Sequence, residues 1–269
     1  MVAIQKEFGI SERHACKLLG QNRSSQRYLR VDERIYRQLS DRVRVLREEF
    51  PYWGYRKMWA QLRHEGFRVT QSRVYQLYLE LGFTKQCQKY QNADSANAAD
   101  TNPQRGQWKN HIWAMDVTTS QTLDGRKLHW FAVIDEFTRV CVVLTVIDAP
   151  WSDREILTAL DRTMEGGRPL VIRVDNNHFE KEQVAARELL ERGITLASVP
   201  KSRPWHNGVI ESFWAKFKQE WLSQRVPENL GEAQQIGFAW KEFYNSVRHH
   251  SSLNYSTPWE FEKTQASSY

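Results

Sequence analysis

The sequence predicts an α/β fold, a mixed five-stranded sheet with helices, preceded by an all-α region. Three observations carry this. Residues 1–83 show apolar stripes at helical spacing, whereas from Trp108 the apolar residues gather into β-branched and aromatic runs. Between them, residues 85–107 lose all periodicity and are rich in Gln, Asn, Ala and Asp, the composition of a linker. A chain of 269 residues is long enough for one large core and a smaller module. The expected units are a helical region 1–84, the linker 85–107, an α/β core 108–225 and a helical tail 226–269 packed on that core.

The elements follow in order. Val2, Ile4, Phe8 and Ile10 open a helical pattern; Ser11 then reads as the N-cap of a helix carrying Ala15, Cys16, Leu18 and Leu19 and closed by Gly20. The basic stretch after it, including Arg23, suits a helix-turn-helix fragment or an ordinary helical hairpin. Ile35, Leu39, Val43 and Leu46 stripe a second helix, broken at Phe50-Pro51. Tyr55, Met58, Trp59 and Leu62 stripe a third up to Gly66, and Val74, Leu77, Tyr78 and Leu81 a fourth up to Gly82. Arg56, Lys57 and Arg73 fall on outer positions of this helix-turn-helix-type region, where they suit contacts to phosphate.

Strands are expected at 112–119, 128–135 and 140–147, joined by an Asp124-Gly125 turn and a turn at 136–139. Helix 152–164, strand 170–175, helix 180–192, strand 194–199 and an amphipathic helix carrying Ile210, Phe213, Trp214 and Phe217 complete the core. Three antiparallel strands followed by α-β-α-β-α is the RNase H-like order. A last helix at 233–244 leads into a tail with Arg248, read either as a DNA contact or as part of a buried helix and capped turn.

Charge is uneven along the chain. The net charge is +6, yet residues 1–90 hold 18 Lys and Arg against 9 Asp and Glu, leaving −3 for the remaining 179 residues. A basic end attracts phosphate, while an acidic remainder suits a carboxylate site that needs metal before it approaches nucleic acid. Cys16, Cys87 and Cys141 are odd in number and far apart, with no CxxC, and so read as reduced thiols rather than as a zinc site. No long apolar run and no signal peptide is present, so a cytoplasmic protein with no membrane contact is expected.

Asp116 and Asp175 each end an apolar run, and Glu211 stands on the amphipathic helix 35 intervening residues after Asp175. Two aspartates at strand ends and a glutamate on a helix can collect three hard oxygen donors around two Mg²⁺ or Mn²⁺ ions for phosphoryl transfer. Lys218, seven residues after Glu211, falls within about 20° of it on a helical projection. Asn207, one turn before Glu211, is placed to orient a water or phosphate. Asp135 and Asp148 also close strands; the first reads as a turn residue and the second as a cap for the helix near Ser152. His178 and His206 read as loop histidines.

The stretches FPYWGYRKMWAQLRHEGFRV, HIWAMDVTTS, DGRKLHWFAVIDEFTRV, LVIRVDN, PWHNGVIESF with Lys218, and FYNSVRHHSSLNYSTPWEF occur in this order across most of residues 10–262. In them the chain resembles the integrase-like, second-frame product of insertion-sequence-three-type transposases, which carry a retroviral-integrase-type catalytic core. The resemblance implies a DDE strand transferase that uses two divalent ions, with Asp116, Asp175 and Glu211 as the triad and Lys218 as its basic companion. It implies element-end and target double-stranded DNA as partners, at least a dimer in the synaptic complex, and a possible fusion or partnership with an upstream helix-turn-helix frame. Two departures stand out: Asn177 occupies the family's Gly position after the second Asp, with Phe179 one residue early, and His249 replaces a Pro. Asn tolerates the left-handed conformation that Gly supplies. The alternatives to an active transposase are a catalytically silent DNA-binding regulator or accessory subunit, and an RNase H-like nuclease that cuts without joining.

Overall fold

The computed structural model describes residues 7–22, 33–83, 105–175, 183–199 and 207–266. The readings made on Val2, Ile4, Arg23, Cys87, Asn177, His178, Phe179 and His206, and on most of the linker, lie outside these residues. The chain divides into two compact units, Met1–Glu49 and Phe50–Tyr269.

In the first unit, helix α1 (Glu12–Leu18) begins at Ser11, whose Oγ accepts from His14 N at 3.3 Å, and Gly20 follows it at φ 61°. Helix α2 (Glu33–Glu49) buries Leu39, Val43 and Leu46, but Ile35 of the expected stripe is exposed.

The second unit starts with α3 (Tyr55–His64) and α4 (Gln71–Glu80), the latter capped by Thr70 Oγ1 accepting from Arg73 N. The compact units part at 49/50, for a physical reason. Phe50 stacks on Trp53 with ring centroids 4.1 Å apart and on Phe243 at 5.6 Å, tying the start of α3 to the C-terminal helices.

The sheet has the order β3-β2-β1-β4-β5, from β1 (Ile112–Gln121), β2 (Lys127–Asp135), β3 (Cys141–Ile147), β4 (Val171–Asp175) and β5 (Thr195–Val199). β1 to β3 are antiparallel neighbours, while β4 and β5 run parallel to β1, as the RNase H-like order requires. Period-two alternation divides the side chains between two cores. Trp113, Met115, Phe131, Val133, Ile172 and Val174 face helices α5 (Asp153–Met164) and α6 (Gln183–Glu191). Ala114, Trp130, Ala132 and Ile134 face α7 (Gly208–Phe217) and α8 (Leu230–Ser246). Both faces are covered, which is why the strands read as near-continuous apolar runs.

Turn chemistry fixes the ends. Asp135 is a turn residue as expected: its carboxylate accepts from Phe137 N, Thr138 N and Asn110 N. Asp148 does not cap α5, because Ser152 and Glu155 form a capping box there. On β3 the Asn245 side chain pairs with the Cys141 backbone, N–H to Oδ1 at 2.8 Å and Nδ2 to carbonyl at 3.0 Å, which satisfies edge groups that would otherwise be buried unpaired. Helix α8 crosses the sheet closely enough that a Cβ on Gly237 would stand 3.0 Å from the fully buried Trp130 ring.

α7 does not continue as an ordinary helix. It widens into a π turn, Lys218–Leu222, a rare form with a buried carboxylate, Glu220. Arg248 forks onto Glu220 through Nε at 2.8 Å and Nη2 at 2.6 Å, and Lys57 Nζ reaches the same carboxylate at 3.2 Å. This buried cluster joins α3, the π turn and the segment after α8. Glu220 is held below its ordinary pKa by Arg248 and Lys57 against the opposing cost of burial. Lys57 is pushed down to about 7 by burial and by the neighbouring Arg248, with Glu220 opposing. A final helix, α9 (Pro258–Ala266), is closed by a second capping box between Thr257 and Glu260.

Two outcomes follow from this packing. Gly237→Val should lower stability by about 1–3 kcal/mol through overpacking against Trp130, read as a drop in urea midpoint at constant slope. The unfolded pKa of a lysine is about 10.4, so between about pH 7 and 10 the unfolded chain binds more protons at Lys57 than the folded chain does, and stability should rise with pH. Denaturation of wild type and Lys57→Met across that range checks this: the variant should lose the rise.

Candidate active site

Asp116 lies in the middle of β1, opposite Ala132 of β2, rather than at the strand's end as the sequence suggested. What does end beside it is β4. The parallel register pairs Met115 with Val174, so the next step along both strands brings Asp116 level with Asp175, the last residue of β4. Alternation puts both aspartates on the face of Ala114, the face that α7 covers, with Met115 and Val174 pointing into the opposite core.

Glu211 sits in the first turn of α7. Ile210, Phe213, Trp214 and Phe217 anchor that helix on the sheet, leaving Glu211 on its open edge. Its pKa is raised, first by partial burial and then by the charges of Asp116 and Asp175. The two aspartates, far from Glu211 in sequence, therefore act on it electrostatically. Hard carboxylate oxygens are the donor type that Mg²⁺ and Mn²⁺ prefer. Among the described residues, no three His, Cys, Asp or Glu side chains are gathered closely enough to form a ligand set as they stand. Residues 176–182 and 200–206, which follow Asp175 and precede Asn207, lie outside the described residues.

Asn207 occupies the N-cap position of α7 but makes no side-chain cap. It is 4 % exposed, and its Oδ1 is a buried acceptor without a partner among the described residues. Lys218, at the junction of α7 with the π turn, donates from Nζ to Thr118 Oγ1 at 2.6 Å. Thr118 is two residues beyond Asp116 and so on the same face of β1, which places the Lys218 ammonium on the aspartate side of the sheet. Alternation along β1 was the signal in the sequence that could have singled out Thr118.

The other basic residues expected at DNA separate into two groups. Arg248 and Lys57 are not open to a ligand: both are committed to Glu220 inside the protein, and Arg248 is 4 % exposed. The buried-turn reading of the tail is the one the packing supports. Arg56 is exposed, with its guanidinium 5.6 Å from the Tyr55 ring centroid, and Arg73 is half-buried beside Gln76. Glu220 was missed in the sequence because a Glu on an amphipathic helix ordinarily reads as a solvated residue.

Known proteins bear on this arrangement. Residues 192–258 match the model of an integrase core domain, and residues 35–91 that of an HTH-like domain. An uncharacterized 31.7 kDa protein of insertion element IS407 from Burkholderia multivorans is 31% identical over 263 residues, spanning 97% of this chain and 94% of its own length. The transposase for insertion sequence element IS629 from Shigella sonnei is 24% identical over 229 residues, 82% of this chain and 77% of that protein. Among solved structures, a chain of the simian T-cell lymphotropic virus intasome, determined in complex with PP2A regulatory subunit B56 gamma, aligns over 76% of this chain and 73% of its own. Its TM-score is 0.52 at 17% identity, a likeness of fold. With an RNase H-like sheet behind an HTH-like region and a full-length insertion-element relative, this chain belongs to the transposases of the insertion-sequence-three type.

Proposed function

We propose that the protein is a DDE transposase that cleaves DNA at insertion-sequence ends and joins the freed 3′-hydroxyl to target DNA. The observation that supports it most is that Asp116 and Asp175 stand level on the sheet face under α7 and act electrostatically on Glu211. Asp116 and Asp175 would share two Mg²⁺ or Mn²⁺ ions, and Glu211 would complete the second position. Bound there, the ions would neutralise charge building on a phosphodiester and polarise it.

The chain's own groups supply the rest. Partial burial and then the charges of Asp116 and Asp175 raise the Glu211 pKa, and a cation bound beside it would act in the opposite direction and favour its carboxylate form. Lys218, fixed at Thr118, puts an ammonium where the strand's phosphate would rest. The unpartnered Asn207 Oδ1, one turn before Glu211, is an acceptor suited to a water or a hydroxyl. Water and then the freed 3′-hydroxyl would be the nucleophiles, so no covalent protein–DNA intermediate is required. Synapsis of two element ends calls for at least a dimer on double-stranded DNA, and an upstream helix-turn-helix frame would be a further partner or fusion. Asn177, where the family has Gly, favours one other reading, a catalytically silent DNA-binding regulator.

A strand-transfer assay with labelled element-end DNA separates the two. Wild type should give joined products with Mg²⁺ or Mn²⁺. Asp116→Asn and Glu211→Gln should each lose at least about a hundredfold in rate while still binding DNA, the scale on which one preorganised charged group acts. Binding without cutting or joining in the wild type would leave the regulator. Lys218→Ala should weaken DNA binding and lower its salt slope by about 0.9, the contribution of one phosphate contact.

A further inference from the structure

Beside α7 the second unit holds a cavity of about 1000 Å³. Its walls come from the start of α3, the arm at Arg105-Gly106, the β2–β3 turn, Arg173 of β4 and the tail around His250. Charge is unbalanced there. Both carboxylates lining it are already neutralised: Glu136 by Arg173, and Glu220 by Lys57 and Arg248. Arg56, Arg105, Arg139 and Lys216 also line it, and none has a carboxylate within ion-pair distance among the described residues.

Arg139 is the most telling of these. Its backbone lies at φ 63°, a left-handed conformation that costs a non-glycine residue free energy and persists only where its surroundings enforce it. Here the Asp135 turn does so, with Arg139 N donating to the Asp135 carbonyl at 2.9 Å. Burial pushes the guanidinium pKa down from its ordinary value, and the nearby Tyr244, Glu136 and Asp135 offset only part of that. The structure thus holds, at one point, a left-handed backbone and a half-buried guanidinium with no carboxylate within ion-pair distance among the described residues.

The same walls carry half-buried aromatic rings. Tyr55, Phe137, Tyr255 and Phe261 all line the cavity, and the Phe137 and Phe261 rings lie with centroids 5.5 Å apart and planes tilted by 59°. Unpaired cations alone would suit any polyanion. Cations interleaved with half-buried aromatic rings suit single-stranded nucleic acid, whose phosphates take the charge and whose bases stack on the rings. A duplex keeps its bases covered and has no use for the rings.

We propose that this cavity binds an unpaired strand of DNA, its phosphates on Arg105, Arg139 and Lys216 and its bases against Phe137 and Phe261. The inference rests on the strand-transfer reading and extends it: Ser212 and Lys216 line the cavity from the helix that carries Glu211, and Arg173 does so two residues before Asp175. A strand end opened at the triad would pass alongside α7 into this cavity.

The test is fluorescence anisotropy on the full chain in EDTA, so that binding is read without cleavage. The probes are a labelled oligothymidylate of about 15 nucleotides and a blunt duplex of the same length. Arg139→Gln with Lys216→Gln should lower the slope of log affinity against log salt for the oligothymidylate by about 0.7 per cation removed. Phe137→Leu should weaken oligothymidylate binding about tenfold with the slope unchanged, as loss of one stacking platform predicts. Duplex affinity should hold in Phe137→Leu. Oligothymidylate binding unchanged in both variants, with native circular dichroism, would overturn the assignment, as would equal loss on duplex and single strand. Strand transfer measured on the same proteins keeps the two readings apart: joining that persists with unchanged oligothymidylate binding refutes the cavity and leaves the triad standing.

Discussion

The register between β1 and β4 is the constraint on which the site depends. Side chains alternate along a strand, so a slip of one residue would turn Asp116 into the core beside Phe131 and Val133 and bring Met115 to the α7 face. The slip is opposed from both sides. Trp113 and Met115 are fully buried with α5 and α6, and Ala114 is buried under α7, so any shift exposes apolar surface on one face while burying a carboxylate on the other. The hydrophobic effect on two faces thereby fixes the position of one charge.

A second constraint sets the direction of α7. Its apolar stripe holds it on the sheet, but a stripe alone leaves a helix free to slide along its axis. The widening at the π turn and the fork of Arg248 on Glu220 remove that freedom, and Lys57 draws α3 into the same cluster. A buried group of three charges contributes little net stability compared with apolar packing, because desolvation offsets most of the attraction. Its value is in specificity: Glu220 has partners in one arrangement only, and in that arrangement Lys218 reaches Thr118. The same cluster explains why the helices after Phe50 belong with the sheet.

The order of elements, the strand limits to within a few residues and the cap at Ser11 were legible in the sequence, whereas the cap of α5 is Ser152 and not the expected Asp148. They follow from local chemistry, namely apolar period, turn residues and side-chain caps, which a linear reading sees directly. That Asp116, Asp175 and Glu211 belong together was suggested by the sequence as well, since two aspartates closing apolar runs and a glutamate on an amphipathic helix are unusual in that order, and the structure brings these carboxylates within electrostatic reach of one another. Less was legible among the basic residues. Arg248 and Lys57 look like solvated cations on paper, and they became structural because a carboxylate 28 and 163 residues away closed on them. Arg139 gave the opposite surprise, a turn residue whose guanidinium lines a cavity with no carboxylate within ion-pair distance among the described residues.

The sequence by itself determined which segments are helix or strand, which faces are apolar and which carboxylates lie where strands and helix can present them. Each is set by neighbours within a few positions. Only the tertiary structure decided that Asp116 stands level with Asp175, which cations are consumed by Glu220 and which remain open beside α7. Charge pairing is a matter of distance in space, and an ion pair forms between whichever groups the folded backbone brings within a few ångströms. Nothing in the spacing of residues along the chain fixes that distance until the sheet register and the helix packing have been set.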